Sequence, residues 1–141
     1  MEIRNPGSIR PWQHVLEPIS GYLLLAEKLY CEPEKFTGAW NFGPDDSDCR
    51  TVEWIVKEML LIWGEGNSWR LQKGVHPHEA SYLKIDNTKA KTALGWVPKL
   101  SLRESLVQII DWHKNFVLGD DISEICEQQV NYYASLVMKK N

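Results

Sequence analysis

The sequence predicts an α/β fold in which helices dominate and the strands are few and short. Three observations predict it. Apolar residues recur at helical spacing in four long stretches, two of which open on recognisable caps. The apolar runs between them are short and bounded by glycine or proline. No glycine-rich turn of the G-x-G-x-x-G or G-x-x-G-x-x-G kind joins a strand to a helix, so these residues carry no dinucleotide-binding core.

Residues 15–30 predict the first helix, with Val15, Ile19, Leu23, Ala26 and Tyr30 as its apolar positions. Pro18 is tolerated there because the first turn has unpaired N–H groups in any case. Cys31-Glu-Pro33 should end it. Residues 38–43 read as a short buried strand between glycines, stopped by Pro44, and 45–50 as a polar loop. Thr51 is the predicted N-cap of a second helix carrying Val52, Ile55, Val56, Met59, Leu60 and Trp63, closed by Gly64 and Gly66. Residues 68–73 and 81–85 are candidate short strands around the turn-prone segment 74–79. Asp86 is placed to cap a short helix through Leu94, which Gly95 ends. Ser101-Leu-Arg-Glu104 is a capping box opening an amphipathic helix with Leu102, Leu106, Ile109, Ile110, His113 and Phe116 on one face. His113 is expected there as a satisfied core histidine. Gly119-Asp-Asp121 breaks that helix, and 122–138 form the last one. Residues 1–141 read as a single unit without linker, repeat or low-complexity tract.

Composition bounds the function. With 43% hydrophobic and 25% charged residues among 141, and seven tryptophans, the chain has the material for a core and is not of the disordered class. A net charge of −3 gives no basic excess for nucleic acid. No stretch approaches the roughly 20 apolar residues of a membrane-spanning helix, and the start has no apolar run of the secretory type. Cys31, Cys49 and Cys126 fall in no metal or redox spacing, so reduced thiols and a cytoplasmic setting are expected. No Tyr-x-x-x-Lys pair, G-x-S-x-G elbow or P-loop is present, and no catalytic residue is assigned.

Two segments carry candidate binding chemistry. Arg4 to Glu17 sets Arg4 and Arg10, the Pro11-Trp12 pair and His14 directly before a helix. A planar guanidinium pairs two phosphate oxygens at once, and a helix N-terminus adds positive potential; solvated surface arginines beside a packed tryptophan are the plainer reading. The second segment is His76-Pro-His78-Glu79-Ala-Ser-Tyr82. Two histidines and a glutamate could suggest a metal, but the proline gives no guarantee of convergent imidazole nitrogens and a third histidine is remote in sequence, so no metal site is assigned. Hydrogen bonds to a sugar, base or phosphate suit it better, with a solvated turn as the plainer alternative. The segment from Asp86 through Lys89, Lys91, Leu94, Gly95 and Trp96 to Pro98 reads as packing rather than chemistry.

Taken together, Ile3-Arg-Asn-Pro, Ile9-Arg-Pro-Trp-Gln-His-Val-Leu-Glu-Pro18, Trp40-Asn-Phe-Gly-Pro44, His76-Pro-His-Glu-Ala80 and Tyr82-Leu-Lys-Ile-Asp86 resemble the CDP-glucose 4,6-dehydratases of the extended short-chain dehydrogenase/reductase superfamily. The resemblance covers nearly the whole chain but only the C-terminal, substrate-binding portion of such an enzyme. It implies a fold from which the Rossmann core, the NAD site and the catalytic residues are missing. By this resemblance Arg10 grips the diphosphate of a CDP-sugar, and Trp12 and His14 shape the same wall. His76, His78, Glu79 and Tyr82 line the nucleotide or sugar pocket. NAD is the cofactor of the parent family and is not expected to bind this chain. The implied partners are a CDP-sugar and an N-terminal NAD-binding half, and this chain is expected to be a truncated form. A dTDP- or UDP-sugar enzyme, or a non-catalytic assembly module, are the alternatives. In that superfamily the strand at 40–43 joins the edge of the cofactor-binding sheet, with the 15–30 helix nearby. An exposed edge here implies self-association.

Overall fold

The structure is a computed structural model that describes residues 1–64, 66–74 and 80–139. Its elements in chain order are β1 (Glu2–Ile3), β2 (Ile9–Pro11), α1 (Leu16–Cys31), α2 (Pro33–Phe36), β3 (Cys49–Thr51), α3 (Val52–Trp63), β4 (Arg70–Leu71), α4 (Leu102–Leu118) and α5 (Ile122–Met138). The expected helix-rich α/β pattern is therefore present.

Local chemistry sets the helix ends. The Thr51 hydroxyl accepts the Trp54 N–H at 3.2 Å and starts α3. The capping box of α4 is complete: Ser101 Oγ accepts the Glu104 N–H at 3.3 Å, and Glu104 Oε2 accepts the Ser101 N–H at 2.8 Å. Gly119, at φ +84°, ends α4 in a conformation that penalises any residue with a Cβ. The Asp86 carboxylate accepts the Thr88 N–H at 2.9 Å, as a cap does. The turn it starts is wound as a π-helix over Ala90–Leu94 before Gly95 stops it.

The strands differ from expectation. Residues 38–43 form no strand, because no described strand lies beside them. Their carbonyls are met by side chains instead: Ala39 O by Lys89 Nζ at 2.9 Å, Phe42 O by Gln13 Nε2 at 3.0 Å and Gly43 O by Asn87 Nδ2 at 2.7 Å. Of the candidate strand at 68–73 only β4 forms, paired parallel with β1. The stretch 81–85 contributes a single parallel bridge, Tyr82 to Ile9. The main pairing is β2 with β3, antiparallel, with Arg10 opposite Arg50. Residues 49 and 50, a loop by sequence pattern, are strand because pairing depends on a partner distant in sequence.

Two apolar clusters hold the elements together. Phe36, Phe42, Ala90, Leu94 and Trp96 form one, with Leu24, Leu25, Leu29 and Trp40 against it. Ile55, Leu102 and Leu106 form the other, with Trp12, Trp54, Met59 and Ile62. The burial of Leu94 and Trp96 agrees with the packing role read for that segment. On α1 the expected apolar positions are not the buried ones. Val15 is 62%, Leu23 68% and Tyr30 91% exposed, while Gly21 is buried. The helix carries two apolar stripes, and Gly21 decides between them because the Phe42 ring needs the space a Cβ would fill. His113 is likewise exposed rather than a core histidine. The α3 helix ends at Trp63, where Lys114 Nζ reaches the Ile62 carbonyl at 3.1 Å, so the last turn of α4 runs past its cover. There His113 lies among the rings of Trp63, Trp112 and Phe116, at centroid distances of 5.6, 6.3 and 6.2 Å.

Candidate functional site

The small sheet of β2 and β3 carries the first candidates. Arg10 is half-buried at its centre and donates from Nη1 to the Ile9 carbonyl at 2.8 Å. Trp12 donates its indole N–H to the Arg50 carbonyl at 2.9 Å and packs its ring into the Ile55–Leu102–Leu106 cluster. It therefore holds β2 to β3 while bordering the arginine.

His14 is buried, 4% exposed, just before α1. Its Nδ1 accepts the Leu16 N–H at 3.3 Å and its carbonyl accepts the Glu17 N–H at 3.0 Å, so the residue starts the helix. Burial holds the imidazole below its ordinary pKa. A neutral ring accepting at Nδ1 carries its proton on Nε2. The ring lines a cleft of about 260 Å³ formed with Val15, Leu16, Ile109, Trp112 and Val130.

Tyr82 is 59% exposed. Paired residues of neighbouring strands project to the same face and alternate along each strand. Its pairing with Ile9 therefore sends Tyr82 to the face opposite Arg10. There the Lys84 ammonium lies 5.5 Å from its ring and 3.0 Å from Asp46. Hydrogen bonds to Tyr82 and to Asp46 push the Lys84 pKa up. The remaining sequence candidates, His76, His78 and Glu79, lie outside the described residues. The structure thus groups Arg10 with Trp12, turns Tyr82 to the other side of the sheet and sets His14 into a separate cleft. Among the described residues no three His, Cys, Asp or Glu side chains converge to hold a metal ion, and no described helix is long and apolar enough to cross a membrane.

Sequence reasoning missed Glu17. This carboxylate is 1% exposed. Oε1 accepts the Lys99 and Leu100 N–H groups at 2.9 and 2.7 Å, and Oε2 accepts the Tyr133 hydroxyl at 2.7 Å. Ser20 Oγ lies 2.9 Å from that hydroxyl and accepts the Trp96 indole N–H at 3.0 Å. Burial, the larger cause, and the neighbouring Glu17 carboxylate push the Tyr133 pKa up. The network ties the start of α1, and with it the Arg10–His14 segment, to α5 and to the approach to α4. An acidic residue in a first helical turn was its only sequence signal, and that usually marks dipole stabilisation at the surface.

The start of α3 offers no cradle for a dinucleotide pyrophosphate. The β3 strand runs straight into α3 without a glycine. The first N–H groups of that helix are already taken by Ser8 O, Pro6 O and Thr51 Oγ1, which leaves no amide for a pyrophosphate.

The class that fold and site define is a helix-rich α/β unit built around short paired strands, with an arginine on the strands. No family model matches the chain. It is 51% identical over 133 residues to a CDP-glucose 4,6-dehydratase of Salmonella typhimurium, which is 94% of this chain and 37% of that protein. It is 28% identical over 113 residues to UDP-glucuronic acid decarboxylase 1 of Arabidopsis thaliana, covering 79% of this chain and 24% of that one. The chain is a relative of the CDP-glucose 4,6-dehydratases, as its motifs indicated, and spans little more than a third of the length of the first of these proteins.

Proposed function

We propose that this chain forms the nucleotide-sugar-binding part of a CDP-D-glucose 4,6-dehydratase, the enzyme class that turns CDP-D-glucose into CDP-4-dehydro-6-deoxy-D-glucose and water. The observation that carries the proposal is the 51% identity running through 94% of the chain, the Arg10–His14 segment included. In this reading Arg10 grips the diphosphate, and Trp12 fixes the strand that presents it. His76, His78 and Glu79 border the nucleotide or sugar, while His14, in its separate cleft, and Tyr82, on the opposite face of the sheet, lie outside the grip of Arg10. Residues 1–141 act as one unit in a cytoplasmic setting, with the three cysteines free. They hold no catalytic group, so the chain is inactive alone. Hydride transfer belongs to an NAD-binding part outside these residues, and no step of it is assigned here.

Two surfaces support a partner of that kind. The outer stripe of α1 exposes Val15, Ile19 and Leu23, and the neighbouring segment 38–43 pairs with no described strand. Tyr22 and Phe42 join them edge to face at 5.4 Å. An exposed apolar stripe of this kind suits contact with a partner. In the chain by itself the same surfaces favour self-association. The decarboxylase similarity favours a second reading, a UDP-sugar enzyme.

The test is a chimaera in which this chain replaces the matching 37% of the Salmonella enzyme. The chimaera is expected to form the keto-sugar product from CDP-glucose, and the chain alone to form none. Product formation by the chain alone, or a chimaera that prefers UDP- or dTDP-glucose, contradicts the proposal.

A further inference from the structure

Three helices converge on the cleft that His14 lines. Val15 stands just before α1, Ile109 and Trp112 follow one face of α4, and Cys126 and Val130 lie about one turn apart on α5. Val15, Ile109 and Val130 stay 62%, 39% and 50% exposed, so the fold leaves these apolar walls open. No residue that lines the cleft carries a charged side chain of the Asp, Glu, Lys or Arg kind.

One polar group in this wall has no use inside the fold. His14 is 4% exposed, and its Nδ1 accepts the Leu16 N–H at 3.3 Å, which leaves the proton of the neutral ring on Nε2. No described residue accepts that proton. Two neighbouring donors are spent: Trp112 gives its indole N–H to Cys126 Sγ at 3.3 Å, and Gln129 gives an amide N–H to the Gln108 carbonyl at 2.9 Å. A ring buried this deeply needs an acceptor for its N–H, and the cleft is where it meets open space. Size and charge decide what fits. A volume of about 260 Å³ falls below the roughly 300–1,000 Å³ of sites for drug-sized ligands, and without a cation nothing there holds a diphosphate. One bulky apolar side chain does fit, as such side chains fill the pockets at the centre of protein interfaces. A backbone carbonyl is the acceptor that every residue carries. Val15 also heads the Val15, Ile19 and Leu23 stripe of α1, so cleft and stripe form one apolar surface. That stripe is the surface given above to the NAD-binding part, and this chain spans 37% of the Salmonella relative.

We infer that the His14 cleft is the socket by which this chain locks onto the NAD-binding part: one bulky apolar side chain of that part fills it, and a backbone carbonyl beside that side chain accepts the His14 Nε2–H. The inference rests on the two-part reading above. It gives His14 a role in joining the parts instead of holding the substrate.

The experiment compares the chain alone with the chimaera described above. Cys126 lines the cleft and is exposed, so its alkylation by iodoacetamide, followed site by site with mass spectrometry, reports whether the cleft is filled. The expected result is alkylation about tenfold slower in the chimaera than in the chain alone, because access sets the rate. Val130→Trp places a ring over the same space. It should leave the thermal midpoint of the chain alone within about 2 °C and lower that of the chimaera by about 5 °C or more. His14→Asn keeps an acceptor for the Leu16 N–H and gives up the Nε2 donor, and should speed Cys126 alkylation about tenfold in the chimaera and not in the chain alone. Equal alkylation of Cys126 in the chain and in an active chimaera overturns the socket and spares the nucleotide-sugar reading. Alkylation of the chain alone that slows as its concentration rises makes a second copy the occupant and overturns the proposal. A chimaera that makes no product, yet protects Cys126 and is destabilised by Val130→Trp, keeps the socket and contradicts the substrate reading. No effect of His14→Asn overturns the carbonyl contact.

Discussion

Replacing Glu17 by alanine takes away the acceptor that joins three parts of the chain. Two backbone N–H groups, of Lys99 and Leu100, and one phenol, of Tyr133, donate to a carboxylate that is 1% exposed. Without it the two amides lose their acceptor, at about 1–3 kcal/mol each. The Tyr133 hydroxyl keeps Ser20 Oγ within reach at 2.9 Å, so its loss is smaller. The sum is about 4 kcal/mol, a large share of the roughly 5–15 kcal/mol that holds a domain folded. For a chain of this size that corresponds to a fall of about 15 °C in Tm. Glu17→Gln keeps one oxygen for both amides and turns an N–H toward Tyr133, which passes its own proton to Ser20; about 1–2 kcal/mol is expected. The assay is urea unfolding followed by tryptophan fluorescence. Trp96, 4% exposed and bonded to Ser20, reports on the network itself. The opposing effect is desolvation: a buried carboxylate is costly, and apolar replacement of such groups is sometimes neutral. An alanine variant within 1 kcal/mol of the parent, or a glutamine variant as damaging as alanine, refutes the reasoning.

Gly21→Ala should destabilise by about 1–3 kcal/mol in the same assay, because its Cβ would come within 2.2 Å of Phe42, whose ring is fixed edge-on between Tyr22 and Trp96. Ser101→Ala removes the capping-box acceptor of α4 and should cost about 1 kcal/mol, read as a shift of the urea midpoint at constant slope. The folded-state pKa of His14 lies below its ordinary 6.5, so the unfolded chain binds more protons between the two values. Stability is then complete above pH 6.5 and declines as pH falls toward the folded pKa, by at most about 1.4 kcal/mol per pH unit. His14→Asn should abolish that slope between pH 7 and 5; a variant that retains it assigns the slope to another group.

The helices were legible because their signals are local. The Thr51 cap, the Ser101–Glu104 box and the apolar spacing of α3 and α4 each lie within a few residues of sequence. Which stripe of α1 is covered was not legible from periodicity, since both stripes are apolar and the choice depends on Phe42 meeting Gly21 across the fold. The strands failed for a related reason: Arg50 becomes a neighbour of Arg10 only through a register between segments forty residues apart. Glu17 looked like a first-turn acid because its donors come from Lys99, Leu100 and Tyr133. In the candidate site Arg10 stood out by its setting beside Trp12. Tyr82 reads from the sequence as lining the nucleotide or sugar pocket with His76, His78 and Glu79; that the alternation of the strand sets it on the face opposite Arg10 depends on its pairing with Ile9.

The measurement that bears most directly on the central claim is a calorimetric titration of this chain with CDP, set against dTDP, UDP, GDP and NAD. CDP binding in preference to the other nucleotides, with no heat from NAD, is the predicted result: the nucleotide half-site is preformed on these elements and the cofactor site lies elsewhere. Preference for another nucleotide, or binding of NAD by the chain alone, contradicts it.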